Sequence, residues 1–201
     1  MSERTERGIF PLDMVLLPGE EAGLHLFEPR YRQLYADCVL DDDTFVIARA
    51  APDGHVPIGC AVRFDELRRR HGDGRLDVVI KGVAAVRVVT PTSGRLYNTA
   101  QVEPLYDQPA VTDDAARLRL VARYLEFVGV DPYEDETLPL SYGLASTLPL
   151  GNDIKQALLE EREEPRRVEL LTQTIERALR EDAYIAESLQ QATDEGLPGR
   201  G

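Results

Sequence analysis

The side chains that could do chemistry are few, and their spacing suits none of the common reactions. Lysine occurs only at Lys81 and Lys155. A phosphate-cradling loop needs G-x-x-x-x-G-K-[ST], so that backbone N–H groups and the lysine hold the phosphates together. Lys81 precedes Gly82 and Lys155 precedes Gln156, so neither has that setting. A Ser–Lys nucleophile pair would have to draw on Ser141, Ser146 or Ser188 with Lys155. All of these lie in helix-patterned sequence, where surface serines and a solvated lysine are the plain reading. Of the histidines, His25 falls in a predicted strand between Leu24 and Leu26, while His55 and His71 fall in turns. With Cys38 and Cys60 they make no C-x-x-C or H-x-x-x-H spacing, so no metal site is expected. Asp41-Asp42-Asp43 has the look of a calcium loop fragment but lacks the alternating spacing and closing Glu, and reads as a solvated turn. No cofactor is expected.

The charge balance narrows the partners. The chain has 201 residues, with 36 acidic side chains against 23 basic ones, a formal net charge of -13. Binding nucleic acid requires clustered Lys and Arg to displace phosphate counterions. Nucleic acid and anionic membrane surfaces are therefore disfavoured, although Arg68-Arg69-Arg70 is a local basic patch. No apolar run approaches the roughly 20 residues that span a bilayer. The polar start, Met1 to Arg7, lacks a signal core, and two cysteines do not make a disulfide framework. A cytoplasmic protein with reduced thiols is expected, with no membrane association.

The elements that must position any site change character midway. In the first half, short apolar runs alternate with turn signals. Strands are predicted at Ile9–Leu12, Met14–Leu17, Leu24–Phe27, Phe45–Ala50, Ile58–Phe64, Leu76–Ile80, Ala84–Val89 and Thr99–Leu105. Pro18-Gly19 and Pro52-Asp53-Gly54 mark turns, and His71-Gly72-Asp73-Gly74 marks a hairpin tip. One helix interrupts the strands from about Pro29 to Val39, since proline suits a first helical position. In the second half Leu118, Val121, Leu125 and Val128 recur at helical spacing, with Asp113 or Asp114 as cap and Gly129 as stop. A polar connection, Asp131–Glu136, leads to helices over Leu140–Ser146 and Asp153–Glu163, the latter turning Ile154, Leu158 and Leu159 inward. A last helix opened by Pro165 carries Val168, Leu171, Ile175, Leu179 and Leu189. The fold class is α+β, a β-rich domain over 8–108, a helical subdomain over 109–192 and a flexible tail over 193–201. No internal repeat is apparent.

The segment Ile9-Phe10-Pro11-Leu12, then Val15-Leu16-Leu17-Pro18-Gly19, then Leu24-His25-Leu26-Phe27-Glu28-Pro29-Arg30-Tyr31-Arg32 resembles the opening of the Lon N-terminal (substrate-binding) domain family. Ile58-Gly59-Cys60-Ala61-Val62 and Gly74-Arg75-Leu76-Asp77-Val78-Val79-Ile80-Lys81-Gly82 resemble two further strands of that family. Tyr142 to Leu150, followed by Lys155 to Glu160, resembles its helical half more loosely. One departure stands out: where the family often has Arg and an aromatic shortly after the glycine matching Gly82, this chain has Ala85 and Val86, with Arg87 next. The resemblance implies a PUA-like β-pseudobarrel followed by a C-terminal helical bundle. It also implies a non-catalytic module that binds unfolded or extended polypeptide, here without the ATPase and Ser–Lys peptidase domains.

The family signature supplies the binding candidates, and two readings of it stay open. Phe27 and Tyr31 could offer apolar area on a partner-binding ledge, with Glu28, Arg30 and Arg32 adding polar specificity. Alternatively Phe27 and Tyr31 pack the barrel while a Glu28–Arg pair pins the helix start. Tyr133 and Tyr142 could line a groove between the two halves, or simply pack. The expected activity is holding a polypeptide in an apolar groove, most naturally between the β-domain and the helices. A role as adaptor to a separate protease or chaperone, and nucleic-acid binding by fold analogy, are the alternatives.

Overall fold

A computed structural model of the chain describes residues 4–41, 43–52, 54–130 and 137–195, with 185–195 as helix backbone alone. The connection Asp131–Glu136 with Tyr133, and the tail from Gly196, lie outside the described residues. So do Asp42, Asp53 and the side chains of Ser188 and Leu189.

The first half builds seven strands around one helix: β1 (Thr5–Leu12), β2 (Glu21–Leu26), α1 (Pro29–Asp41), β3 (Phe45–Ala51), β4 (Gly54–His55), β5 (Ile58–Arg70), β6 (Leu76–Thr92) and β7 (Asn98–Pro104). Antiparallel pairing runs β1–β7–β6–β5–β3, and β3 returns to β1 in parallel, with Ile9 opposite Val46. That last pairing closes the sheet into the expected pseudobarrel and leaves these five strands no free edge within the ring. The two-residue period of the strands sorts their side chains. Ile9, Val46, Ala48, Ala61, Val86, Val88, Ala100 and Val102 form one small buried cluster drawn from every strand of the ring. Phe10, Ile47, Cys60, Val62 and Ala85 belong to a second, larger core that also holds Tyr31, Leu34, Tyr142, Leu158, Val168 and Leu171. Barrel and helices therefore share a core.

The second half is helical: α2 (Asp114–Val128), α3 (Leu140–Ala145), α4 (Asn152–Glu160) and α5 (Glu164–Glu195). Gly129 ends α2 in the left-handed region at φ 80°, as its position suggested, and its N–H reaches the Leu125 carbonyl. Asp113 stands at the N-cap without a side-chain cap bond.

Three expectations need correction. Met14–Leu17 is not a strand. Val15, Leu16 and Leu17 are buried, but the N–H groups of Val15 and Leu17 are satisfied by side chains rather than a ladder. Val15 N–H donates to Asn152 Oδ1 (3.1 Å) and Leu17 N–H to Glu20 Oε2 (3.0 Å). The strands expected at Leu76–Ile80 and Ala84–Val89 are one 17-residue strand, because Gly82 does not break β6. Finally, α2 is rotated from the reading based on Leu118. Leu120 and Tyr124 are its buried residues, and Leu118 is exposed.

Both cysteines are free and buried. Burial pushes both thiols up to about 12, with Asp43 adding to the effect at Cys38. Because the thiolate is the nucleophile, a disulfide reagent at about pH 8 is expected to label neither thiol in the native chain and both in denaturant. A group whose folded pKa is raised adds stability that is complete below its unfolded pKa of about 8.5 and fades as pH climbs toward the folded value. Tyr31, Tyr97 and Tyr142 are raised chiefly by burial and act in the same direction. Urea midpoints should therefore fall steadily from about pH 9 upward; rapid native-state labelling would refute the packing assigned to Cys38 and Cys60.

Candidate functional site

The four signature residues are not one surface. Glu28 starts α1: its carbonyl accepts from Tyr31 N–H and Arg32 N–H (both 3.1 Å), and its carboxylate pairs with Arg30 at 2.9 Å. Tyr31 is turned inward, 6% exposed, and stacks on Phe10 with ring centroids 3.7 Å apart. The Arg30 guanidinium caps the same ring at 4.6 Å. Burial raises the Tyr31 phenol above its ordinary pKa, which keeps it neutral. Phe27 is 60% exposed, on the link between β2 and α1. Glu28, Arg30 and Tyr31 are thus brought together to seat the helix, and Phe27 is left facing solvent.

Among the described residues, the junction between barrel and helices is closely packed. Lys155 pairs with Glu20, and Asn152 Nδ2 donates to the Asp13 carbonyl (3.1 Å). Gln156 donates to the Ile58 carbonyl (3.2 Å), and Arg49 pairs with Asp153 (2.6 Å). Tyr142 fills the junction at 4% exposure and hydrogen-bonds the Leu158 carbonyl (3.3 Å). Beneath it lies Arg167, with no exposed surface. Its guanidinium donates to both oxygens of Asp107, to Glu164 (2.7 Å), to Ser141 Oγ (3.0 Å) and to the Glu161 carbonyl (2.9 Å). It also lies 4.4 Å from the Tyr142 ring centre. Asp107 is on the strand-to-helix connection, so this arginine ties the barrel's exit to α3 and α5.

The serines and the lysine considered for a Ser–Lys pair have other hydrogen-bond partners among the described residues. Ser141 Oγ donates to Glu164 (2.6 Å) and Ser146 Oγ to the Gly143 carbonyl (2.9 Å). Lys155 is held by Glu20. No helix among the described residues is long and apolar enough to cross a membrane.

An open groove does exist, on the outer side of α1. Tyr35, Ala36, Val39 and Leu40 face the β5–β6 hairpin at Arg70, Gly74 and Leu76, with Arg32 between them. Val39 is 55% and Leu40 84% exposed. Helical spacing of Tyr35, Val39 and Leu40 would have found this stripe, but an apolar helix stripe is ordinarily read as core. The hairpin is longer than its apolar pattern, because β5 runs on through the mostly charged stretch Asp65 to Arg70 paired against β6.

The same arm carries a cluster that sequence spacing missed. β2 pairs with β6 so that His25 lies directly opposite Asp77. His25 Nδ1 is 2.5 Å from Asp77 Oδ1, and His71 Nε2, from the hairpin tip, is 2.8 Å from Asp77 Oδ2. The two imidazoles meet edge to face at 5.7 Å. Hydrogen bonds from His25 and then His71 hold the Asp77 carboxyl below the usual carboxylate range.

Comparison with known proteins agrees with this architecture. A crystal structure of a Lon N-terminal domain protein from Xanthomonas campestris superposes with a TM-score of 0.65 at 26% identity, covering 83% of this chain and 96% of that one. The N-terminal domain of the Mycobacterium avium complex Lon protease gives the same TM-score at 17% identity, over 86% of this chain and 98% of that one. No protein among those with curated function matches the chain. The family model for the ATP-dependent protease La (LON) substrate-binding domain matches residues 6–177, nearly the whole described body, and the chain belongs to that family.

Proposed function

We propose that this chain is a non-catalytic module that recognises protein substrates as extended or partly unfolded polypeptide, held on the groove along α1. The observation that carries the reading is the conjunction of the substrate-binding family match with a solvent-facing apolar stripe, Val39 and Leu40, on a helix whose other face is core. Exposed apolar area on one side of a concave surface, with a few polar anchors, is what a binding site needs. Arg32 and Arg70 supply the anchors by donating to backbone carbonyls or acidic side chains of the bound segment. Tyr35, packed edge-on against Phe64, gives the groove a rigid floor. Phe27, on the approach to α1, extends the apolar area, while Glu28, Arg30 and Tyr31 act by fixing the helix.

The test is fluorescence anisotropy with a labelled, permanently unfolded polypeptide, reduced and carboxymethylated lactalbumin, against its folded counterpart. The chain should bind the unfolded form preferentially. Val39→Asp/Leu40→Asp should weaken that binding about tenfold or more, the size of a lost hot spot, with an unchanged urea midpoint because both side chains already face water. Equal binding of folded and unfolded polypeptide, or full affinity in the double variant, would defeat the proposal.

A further inference from the structure

The arm formed by β2, β5 and β6 holds a cluster that the polypeptide reading does not use. Two of the chain's three histidines, His25 and His71, converge on one carboxylate, Asp77. Their ligand atoms all lie within 4.8 Å of one another, the one group of three such donors among the described residues. We propose that His25 Nδ1, His71 Nε2 and the Asp77 carboxylate form a binding site for a divalent transition metal, Zn²⁺ in the first instance.

The donor chemistry selects the ion. Two imidazole nitrogens and one carboxylate oxygen are a borderline set that suits Zn²⁺, whereas Ca²⁺ and Mg²⁺ demand oxygen donors. Zinc takes nitrogen and oxygen at about 2.0–2.2 Å, which places neighbouring ligand atoms about 3.3 Å apart in a tetrahedron. The imidazoles now touch Asp77 at 2.5 and 2.8 Å, each through a different oxygen. Opening those contacts to coordination spacing takes side-chain rotation alone, and all three side chains have room for it: they are 42%, 21% and 37% exposed for His25, His71 and Asp77.

The backbone beneath them is firmly set. His25 and Asp77 are a direct cross-strand pair within a continuous ladder from Glu21 to Leu26. His71 is fixed by the turn, its N–H donating to the Arg75 carbonyl (2.9 Å) and its carbonyl accepting from Gly74 (3.0 Å). Exposure leaves the fourth tetrahedral position to water or to a donor from a docked molecule. Arg69, the partner of Asp77 across β5–β6, adds positive charge and tempers the affinity without removing a ligand.

The test is calorimetric titration of the tag-free chain with Zn²⁺, paired with the visible absorption of bound Co²⁺. One equivalent of metal should bind, and Co²⁺ should show the intense bands of a tetrahedral site. His25→Ala, His71→Ala and Asp77→Asn should each weaken binding about tenfold or more, since even outer-shell changes cost that much. His55→Ala should leave it unchanged, because His55, on β4, bonds the Val56 carbonyl just beyond that strand and is not in the cluster. Thermal unfolding without metal shows whether each variant is folded. No binding by the folded native chain, or undiminished binding in the folded His25→Ala/His71→Ala variant, would overturn the proposal.

Discussion

Arg167→Ala is expected to destabilise the chain by about 3–5 kcal/mol, the cost of breaking a fully buried ion pair from one side. The guanidinium is 0% exposed and satisfies two carboxylates, a hydroxyl and a backbone carbonyl at once. Removing it leaves Glu164 and Ser141 facing a cavity beneath Tyr142. Asp107 is 34% exposed, so water can recover part of its loss and the effect belongs toward the lower end of that range. Arg167→Lys keeps the charge but not the fork that reaches several acceptors in one plane, and should fall in between. A surface pair gives the contrast. Arg177 and Glu181 sit one turn apart on α5 with 77% and 61% of their side chains exposed, so solvent screens the pair and Arg177→Ala should leave the midpoint nearly unchanged. Urea denaturation at constant m reads all three. An Arg167→Ala midpoint indistinguishable from that of Arg177→Ala would mean that the network does not hold barrel and helices together.

The consequence reaches function. Lys155–Glu20, Asn152 with Asp13 and Val15, and the Arg167 network all join the helical half to the segments that enter and leave the barrel. Among the described residues these contacts pack the junction closely, with Tyr142 4% exposed. The groove along α1 is lined by other residues, none of which makes the junction contacts named above. Loss of Arg167 should therefore lower stability without first lowering polypeptide affinity, while charge at Val39 and Leu40 should do the reverse.

Much of this was legible in the residues. The ring strands were readable because short apolar runs are set off by Gly, Pro and Asp turn signals, and β3 and β7 fall within a residue or two of expectation. The segment Met14–Leu17 misled because an apolar run looks the same whether its N–H groups meet a ladder or the side chains of Asn152 and Glu20. Leu118 misled because α2 offers apolar residues on two faces, and only its packing on α5 selects Leu120 and Tyr124. The signature Phe27–Tyr31 identified a family but could not say which aromatic turns inward, since the chain passes from strand to helix between them. His25 and Asp77 are 52 residues apart and meet only through the register of β2 on β6, which no local spacing encodes.

Gly82→Ala is the second large effect, and it tests why a single glycine stands inside so long a strand. β6 changes its neighbour on one edge: Leu76–Lys81 pair with β2, and Val86–Thr92 pair with β7. The segment leading into β2 crosses at the gap, where Gly19 N–H donates to the Gly82 carbonyl (2.9 Å) and Gly82 N–H donates to the Glu20 carbonyl (2.9 Å). A β-carbon on Gly82 would lie 2.0 Å from the Leu17 carbonyl oxygen and 2.8 Å from its carbon. These are backbone atoms that cannot rotate away. Relief requires moving Leu17, which is fully buried, and with it Glu20, the partner of Lys155. Overpacking of a core costs about 1–3 kcal/mol and occasionally more, and an immovable backbone contact puts this substitution at about 3 kcal/mol or beyond. Gly23, on β2 opposite Val79, is the control: a β-carbon there meets nothing within 4 Å. Gly23→Ala should be neutral or gain about 0.5 kcal/mol from the glycine's lost freedom in the unfolded chain. If the two variants unfold at the same urea concentration, the crossing at Gly82 is looser than these distances require, and the pairing switch of β6 must be held by something else.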